Sequence, residues 1–346
     1  MIVRVGINGF GRIGRNVFKA LYGEYGDEIE VVAANDLGDV DTLAHLLKYD
    51  SVYGRFGARH GDPIAIGRSE QGIVIGEHEL RMLAERDPAK LPWGELGVDI
   101  VIESTGFFTD ADKARAHLAG GAKKVIITAP AKGEDITLCM GVNEDKYDPA
   151  RHSIISNASG TTNCLAPVAK VVLEQFGVVK GLVTAVCPYA ADQRLLDNKH
   201  QDLRRGRTAA INIVPTKTTD VARRVAQVLP ELTGKFDGFV LHVPSPTVAI
   251  LDIVMQVERQ ATVEAINAAF RAQAAGGRSG ILGYTEEPLV SSDFRADSRS
   301  AIVDGLSTMV SGGDLIKVVA WYDNAWGPAC RVADLTAFIA ACGFDR

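Results

Sequence analysis

No apolar stretch in the 346-residue sequence approaches the ~18 consecutive residues expected of a membrane-spanning helix. C-x-x-C and H-x-x-x-H spacings are also missing, so no metal site is expected from neighbouring ligands. The five cysteines, Cys139, Cys164, Cys187, Cys330 and Cys342, are odd in number and widely scattered. They read as reduced thiols rather than as a disulfide framework. There is no internal repeat and no low-complexity linker. The first residues, MIVRVGINGFGRIGR, lack the apolar core and cleavage-type site of a secretory signal, so a cytoplasmic location is expected. A formal net charge of −6 gives no general attraction to nucleic acid or to an anionic membrane. Arg204-Arg205-Gly206-Arg207 is a basic patch of local extent. What remains is an ordinary globular composition, 47% hydrophobic and 23% charged, with a length that suggests about two domains.

The two halves differ in texture. Residues 2–7, 29–36, 98–106 and 122–130 are short apolar strands, alternating with helical patterns such as 111–119. That alternation predicts βαβ units and a parallel sheet. Beyond residue 160 the segments 181–190, 236–258 and 314–324 are long and β-rich, separated by helical patterns at 164–176 and 263–274. Long strands with few helices predict an α+β domain with a mixed or antiparallel sheet. A final helix is expected over 330–343, with Gly343 as its stop. The expected division is a first domain of residues 1–159 plus 325–346 and a second of residues 160–324.

The first strand runs into Gly9-Phe10-Gly11-Arg12-Ile13-Gly14, a G-x-G-x-x-G that opens a helix, with Asp36 at the end of the second strand. In that context Gly9 permits the tight turn, Gly11 lets backbone approach a pyrophosphate, and Gly14 lets helix pack on strand. The helix N-terminal amides then face the phosphates. Asp36 can accept from ribose hydroxyls and would repel a 2′-phosphate, which favours NAD over NADP.

The strings INGFGRIGR, HLLKYDSVYGRF, KKVIITAPAK, SNASGTTNCLAPVAK, DLRRGR, GILGYTEEPLVSSDF and VVAWYDNAWG extend the argument across nearly the whole chain. They resemble the glyceraldehyde-3-phosphate dehydrogenase family. The resemblance implies a Rossmann domain, an α+β catalytic domain, a C-terminal helix returning to the first domain, and a homotetramer. It further implies that Arg12 and Ile13 contact the pyrophosphate and that Arg86, Ser104, Thr105 and Thr128 line the cofactor cleft. Asn324 would hold the nicotinamide carboxamide.

The same resemblance marks what has changed. The family pattern S-C-T-T-N-C reads Ser159-Gly160-Thr161-Thr162-Asn163-Cys164 here, so the nucleophilic cysteine is missing. Glycine cannot form the thiohemiacetal through which that family oxidises an aldehyde. The histidine of V-H-x-Y-T-N-D-Q is Cys187, and Ala190 and Ala191 replace its threonine and asparagine. The arginine of L-R-V-P is His242, which gives up a permanently charged bidentate fork. Lys217-Thr218-Thr219-Asp220 departs from a T-G-A-A run, and DNEWGYSNRV has become DNAWGPACRV. These departures cluster where the resemblance places the catalytic pocket, which points to re-purposing rather than random decay.

Cys187 is then either a relocated nucleophile, with His242 as its activator, or a small packed thiol. Ser159, Gly160, Thr161 and Arg205 are the expected substrate or anion pocket, though the arginines of DLRRGR equally suit a solvated or interface role. A Cys187, His242 and Cys330 metal cluster is the weakest alternative, and no metal is expected. Cys139, Cys164 and Cys342 are expected in the core. The functional expectation is an NAD-dependent oxidoreductase acting on a different small molecule, with phosphorylating oxidation of glyceraldehyde 3-phosphate lost. Its alternatives are a non-catalytic NAD-binding subunit or sensor, and non-redox chemistry in the same pocket.

Overall fold

The computed structural model describes residues 2–58, 61, 63–216 and 220–344. The variant stretch at 217–219 therefore lies outside the described residues. Two compact units emerge, one of Met1–Leu138, Asp145–Ala158 and Ala329–Arg346, the other of Cys139–Glu144 and Ser159–Pro328.

The first unit begins with β1 (Val3–Asn8), α1 (Arg12–Glu24), β2 (Ile29–Asn35) and α2 (Val40–Lys48). A small hairpin, β3 (Tyr49–Asp50) and β4 (Gly54–Arg55), is followed by β5 (Ile66–Arg68), β6 (Gly72–Ile75) and β7 (His78–Leu83). Next come β8 (Ile100–Glu103), the short helices α3 (Ala111–Ala114) and α4 (Ala116–Ala119), β9 (Lys124–Ile127), β10 (Ile136–Thr137) and β11 (Ile154–Ser156). The large sheet has the order β10-β11-β9-β8-β1-β2-β7-β6-β5. It is parallel as far as β7 and antiparallel across the β7-β6-β5 edge. Val5, Ile7, Ile100, Ile102, Val125 and Ile126 are fully buried, as expected of central strands covered on both faces. The strand order reverses at β1 and β8, and the glycine loop leaves β1 at that switch point, where open α/β sheets bind ligands.

The second unit contains α5 (Gly160–Phe176), β12 (Lys180–Pro188), β13 (Val214–Thr216), α6 (Asp220–Val228), β14 (Phe236–Val243), β15 (Ala249–Gln256) and α7 (Val263–Ala275). It ends with β16 (Leu282–Thr285), β17 (Ala301–Asp304), β18 (Met309–Ser311) and β19 (Leu315–Tyr322). Its sheet is mixed: β12 runs parallel to β14 and antiparallel to β15. Burial alternates residue by residue along β15, because one sheet face packs on α5, α6 and α7. Val168 and Val172 of α5, Val225 of α6 and Phe270 of α7 share that core with Val183, Leu251 and Ile253 of the sheet. The final helix, α8 (Trp326–Cys342), crosses the boundary between the units in sequence.

Three elements differ from expectation. The apolar run 236–258 is two strands, because Pro244 and Pro246 remove ladder donors and Val248 takes φ 67°. The pattern at 111–119 splits into two single turns of helix. The last helix starts at Trp326, since the buried Asp323 carboxylate accepts from the amides of Ala325 and Trp326, both at 3.0 Å. Among the described residues, no helix is long and apolar enough to cross a membrane.

Candidate active site

Each glycine of the first loop has a distinct surrounding. Gly9 has φ +92°, and a Cβ there would lie 2.7 Å from the Thr105 amide nitrogen. A Cβ on Gly14 would collide with the Gly9 carbonyl oxygen, whereas one on Gly11 meets nothing within 4 Å. The backbone at Gly11 is thus open to a ligand, while that at Gly9 and Gly14 is closed by packing. Helix α1 has no side-chain cap and no acidic residue in its first turn, so its leading amides suit an anion. Phe10 and Ile13 belong to this same loop and first turn, and the exposed Arg12 and Arg86 are cationic side chains of the same unit. Asp36 accepts from the Phe10 amide at 2.7 Å and the Gly38 amide at 2.9 Å, which fixes its carboxylate beside the loop. These features fit a dinucleotide.

Beneath the loop lies a network that the sequence reading missed. Glu103, 1% exposed at the end of β8, accepts from Asn8 Nδ2 at 2.6 Å and from the Thr105 amide and hydroxyl at 2.8 and 2.5 Å. His117, fully buried, completes it. Trp93 Nε1 donates to His117 Nδ1 at 3.0 Å, so the imidazole proton sits on Nε2 and is donated to Glu103 at 3.0 Å. The Thr128 amide donates to the Glu103 carbonyl at 3.0 Å, and Ser104 Oγ to the Gly9 carbonyl at 2.6 Å. One buried carboxylate therefore holds Thr105 in place, and the carbonyls of Gly9 and Glu103 hold Ser104 and Thr128. The available signal was an acid ending an otherwise apolar strand, IVIE.

In the second unit, α5 starts at Gly160 and is capped by Ser159, whose Oγ accepts from the Thr162 amide at 3.0 Å. Thr161 Oγ1 lies 3.0 Å from the Tyr322 hydroxyl, and Cys187 Sγ lies 3.8 Å from the same hydroxyl. Ser159 and Thr161 thus have partners inside the protein. Around Gly160, Pro328 Cγ, the Asn324 carbonyl oxygen and Tyr322 Cε2 lie 2.9, 3.6 and 3.6 Å from where a Cβ would stand. Asn324 Oδ1 accepts from the Val248 amide at 3.1 Å, leaving Nδ2 to donate.

Cys187 and His242 are register partners on the parallel strands β12 and β14, but the described hydrogen bonds do not join them. His242 Nδ1 donates to the Pro188 carbonyl at 2.8 Å, which makes Nε2 the acceptor of the ring. Burial lowers its pKa, Arg205 adds to that, and the Pro188 carbonyl opposes it. Burial pushes the Cys187 thiol up to about 11, partly offset by Tyr322. A neutral imidazole engaged elsewhere offers no charge to stabilise a thiolate, so this geometry does not itself join the two as nucleophile and activator. Arg205 is ion-paired with Asp192 and lies 3.8 Å from Asp202. Cys139 and Cys164 are buried as expected, but Cys342 is exposed near the end of α8. Among the described residues no group of three or more His, Cys, Asp or Glu side chains is arranged to hold a metal.

Comparison with known proteins follows the same division. Residues 3–111 match the family described as "Glyceraldehyde 3-phosphate dehydrogenase, NAD binding domain", and residues 159–324 match "Glyceraldehyde 3-phosphate dehydrogenase, C-terminal domain". The chain belongs to the glyceraldehyde-3-phosphate dehydrogenase family. It is 57% identical over 343 residues to the glyceraldehyde-3-phosphate dehydrogenase of Geobacillus stearothermophilus, covering 99% of this chain and 100% of that one. Over 340 residues it is 55% identical to the Streptomyces coelicolor protein of the same name, covering 98% and 99%. Over 343 residues it is 53% identical to glyceraldehyde-3-phosphate dehydrogenase 1 of Bacillus subtilis, covering 99% and 100%. This family member is an NAD-binding oxidoreductase-like protein, and NAD is its cofactor.

Proposed function

We propose that this protein holds NAD and does not carry out the covalent, phosphorylating oxidation of glyceraldehyde 3-phosphate. The observation that carries this reading is the state of the Cys187 thiol. Its Sγ lies 3.8 Å from the Tyr322 hydroxyl, and burial pushes its pKa up to about 11, which favours the protonated form. A thiohemiacetal needs a thiolate, and at neutral pH a thiol of that kind supplies almost none. The cofactor contacts proposed are Gly9, Phe10, Gly11, Arg12, Ile13, Gly14, Asp36, Arg86, Ser104, Thr105, Thr128 and Asn324. Calorimetric titration should give saturable NAD binding, while NAD with glyceraldehyde 3-phosphate and phosphate should yield no NADH at ~1 per second or faster. NADH production at such a rate would sink the reading.

His242 favours one further activity. A neutral imidazole, oriented through Nδ1 and accepting at Nε2, could take the proton of a bound alcohol, and NAD, when bound, would supply the hydride acceptor. No covalent bond to the protein would form, and the proton given up by the alcohol would rest on Nε2. A panel of small alcohols and carbonyls, read by NADH absorbance with His242→Gln as control, tests it. No turnover across the panel leaves an NAD-binding subunit or sensor. The homotetramer belongs to the same proposal. It is supported by Leu195, Leu196, Leu203, Ile211 and Ile213, apolar side chains of one long loop that are exposed in the single chain.

A further inference from the structure

Gly160 is the first residue of α5, yet the room a side chain would take there is occupied. A Cβ would stand 2.9 Å from Pro328 Cγ, inside the distance at which carbon atoms pack. That ring is tied back to its own backbone nitrogen and cannot rotate away as a long side chain would. It sits in the first turn of α8, where the fixed φ of proline suits a helix start. The turn itself is pinned. Asp323, 0% exposed, accepts from the amides of Ala325, Trp326 and Ala296 and from the Thr247 hydroxyl. On the other side, the Ser159 cap fixes the start of α5. Neither backbone is placed to yield.

We infer that Gly160 and Pro328 form a coupled pair, in which Pro328 decides whether position 160 can carry a side chain at all. The inference rests on the proposed loss of thiol chemistry and deepens it. The site is closed to a nucleophile by packing, so restoring a cysteine at 160 does not by itself restore a reactive thiol.

The test is a double-mutant cycle in the full chain, read by thermal unfolding. Glycine in a helix ordinarily costs stability relative to alanine, because it loses more backbone freedom on folding. Gly160→Ala should therefore raise the unfolding midpoint if the position is open. The pair predicts the opposite sign: Gly160→Ala lowers the midpoint in the parent by several degrees and raises it, or leaves it unchanged, in a Pro328→Ala background. Equal effects in the two backgrounds would overturn the coupling. Failure of Gly160→Ala to fold, rescued in the double variant, supports it; failure of both alike overturns it.

A second readout uses thiol chemistry. Iodoacetamide should label the introduced thiol of Gly160→Cys at least tenfold faster once Pro328→Ala is added, and equal rates would count against the pair. These results separate from those of the functional reading. NADH formation by the unsubstituted protein would remove the proposed loss of activity without touching the cycle, and an additive cycle would remove the pair while leaving that loss in place.

Discussion

At the scale of the residue, the environment of a thiol matters more than its presence. Cys187 has a tyrosine hydroxyl as its partner, the described residues place no cation against it, and burial raises its pKa. Mass spectrometry after brief iodoacetamide treatment should find the exposed Cys342 labelled well ahead of Cys187 at pH 7. Labelling of Cys187 should rise only as pH approaches about 11; fast labelling at neutral pH would refute the assignment. The same shift bears on stability. With the folded value above the ordinary 9.0, the unfolded chain gives up this proton first as pH rises. The contribution is complete below pH 9 and is lost as pH climbs through about 11, so denaturant midpoints should fall across that window.

At the scale of the element, the glycine loop and its helix behave as one piece. Gly14→Ala should push α1 off the loop, since the added carbon meets the Gly9 carbonyl and lies 2.9 Å from Ser104 Oγ. Overpacking of this kind costs about 1–3 kcal/mol, and urea unfolding together with NAD titration should show both stability and affinity reduced. Unchanged values in both would mean the backbone relaxes freely. This loop was legible because glycine spacing states a backbone requirement directly, and the strands were legible because they are apolar and short. The partners that tune the sites were not. Glu103 with His117, Arg205 with Asp192, and Gly160 with Pro328 join positions whose proximity no local pattern encodes. Periodicity could not find the break in 236–258 either, because apolar residues continue through the prolines.

At the scale of the whole molecule, the exposed loop leucines set the expectation for assembly. Leu203, 85% exposed, is a natural site for a charge that a monomer would tolerate and an interface would not. Leu203→Asp should leave the thermal unfolding of a subunit near its parent value while lowering the mass measured by light scattering. An unchanged mass would place assembly, if any, on another surface.

The split composition of the first unit has a consequence in time. Its last segment, from Ala329 onward, supplies Asp334, which accepts from the Tyr25 hydroxyl at 2.7 Å, and Phe338, whose ring lies 5.9 Å from that of Tyr147. On a ribosome adding about 5–20 residues each second, the stretch Ser159–Pro328 must be made first, a delay of roughly 10–30 seconds. Throughout that interval the nascent glycine loop and its sheet stand without their closing helix. The cofactor-binding unit, first to be translated, is therefore the last to be finished, and a chain that stalls late would leave its apolar seam open to chaperones and proteases.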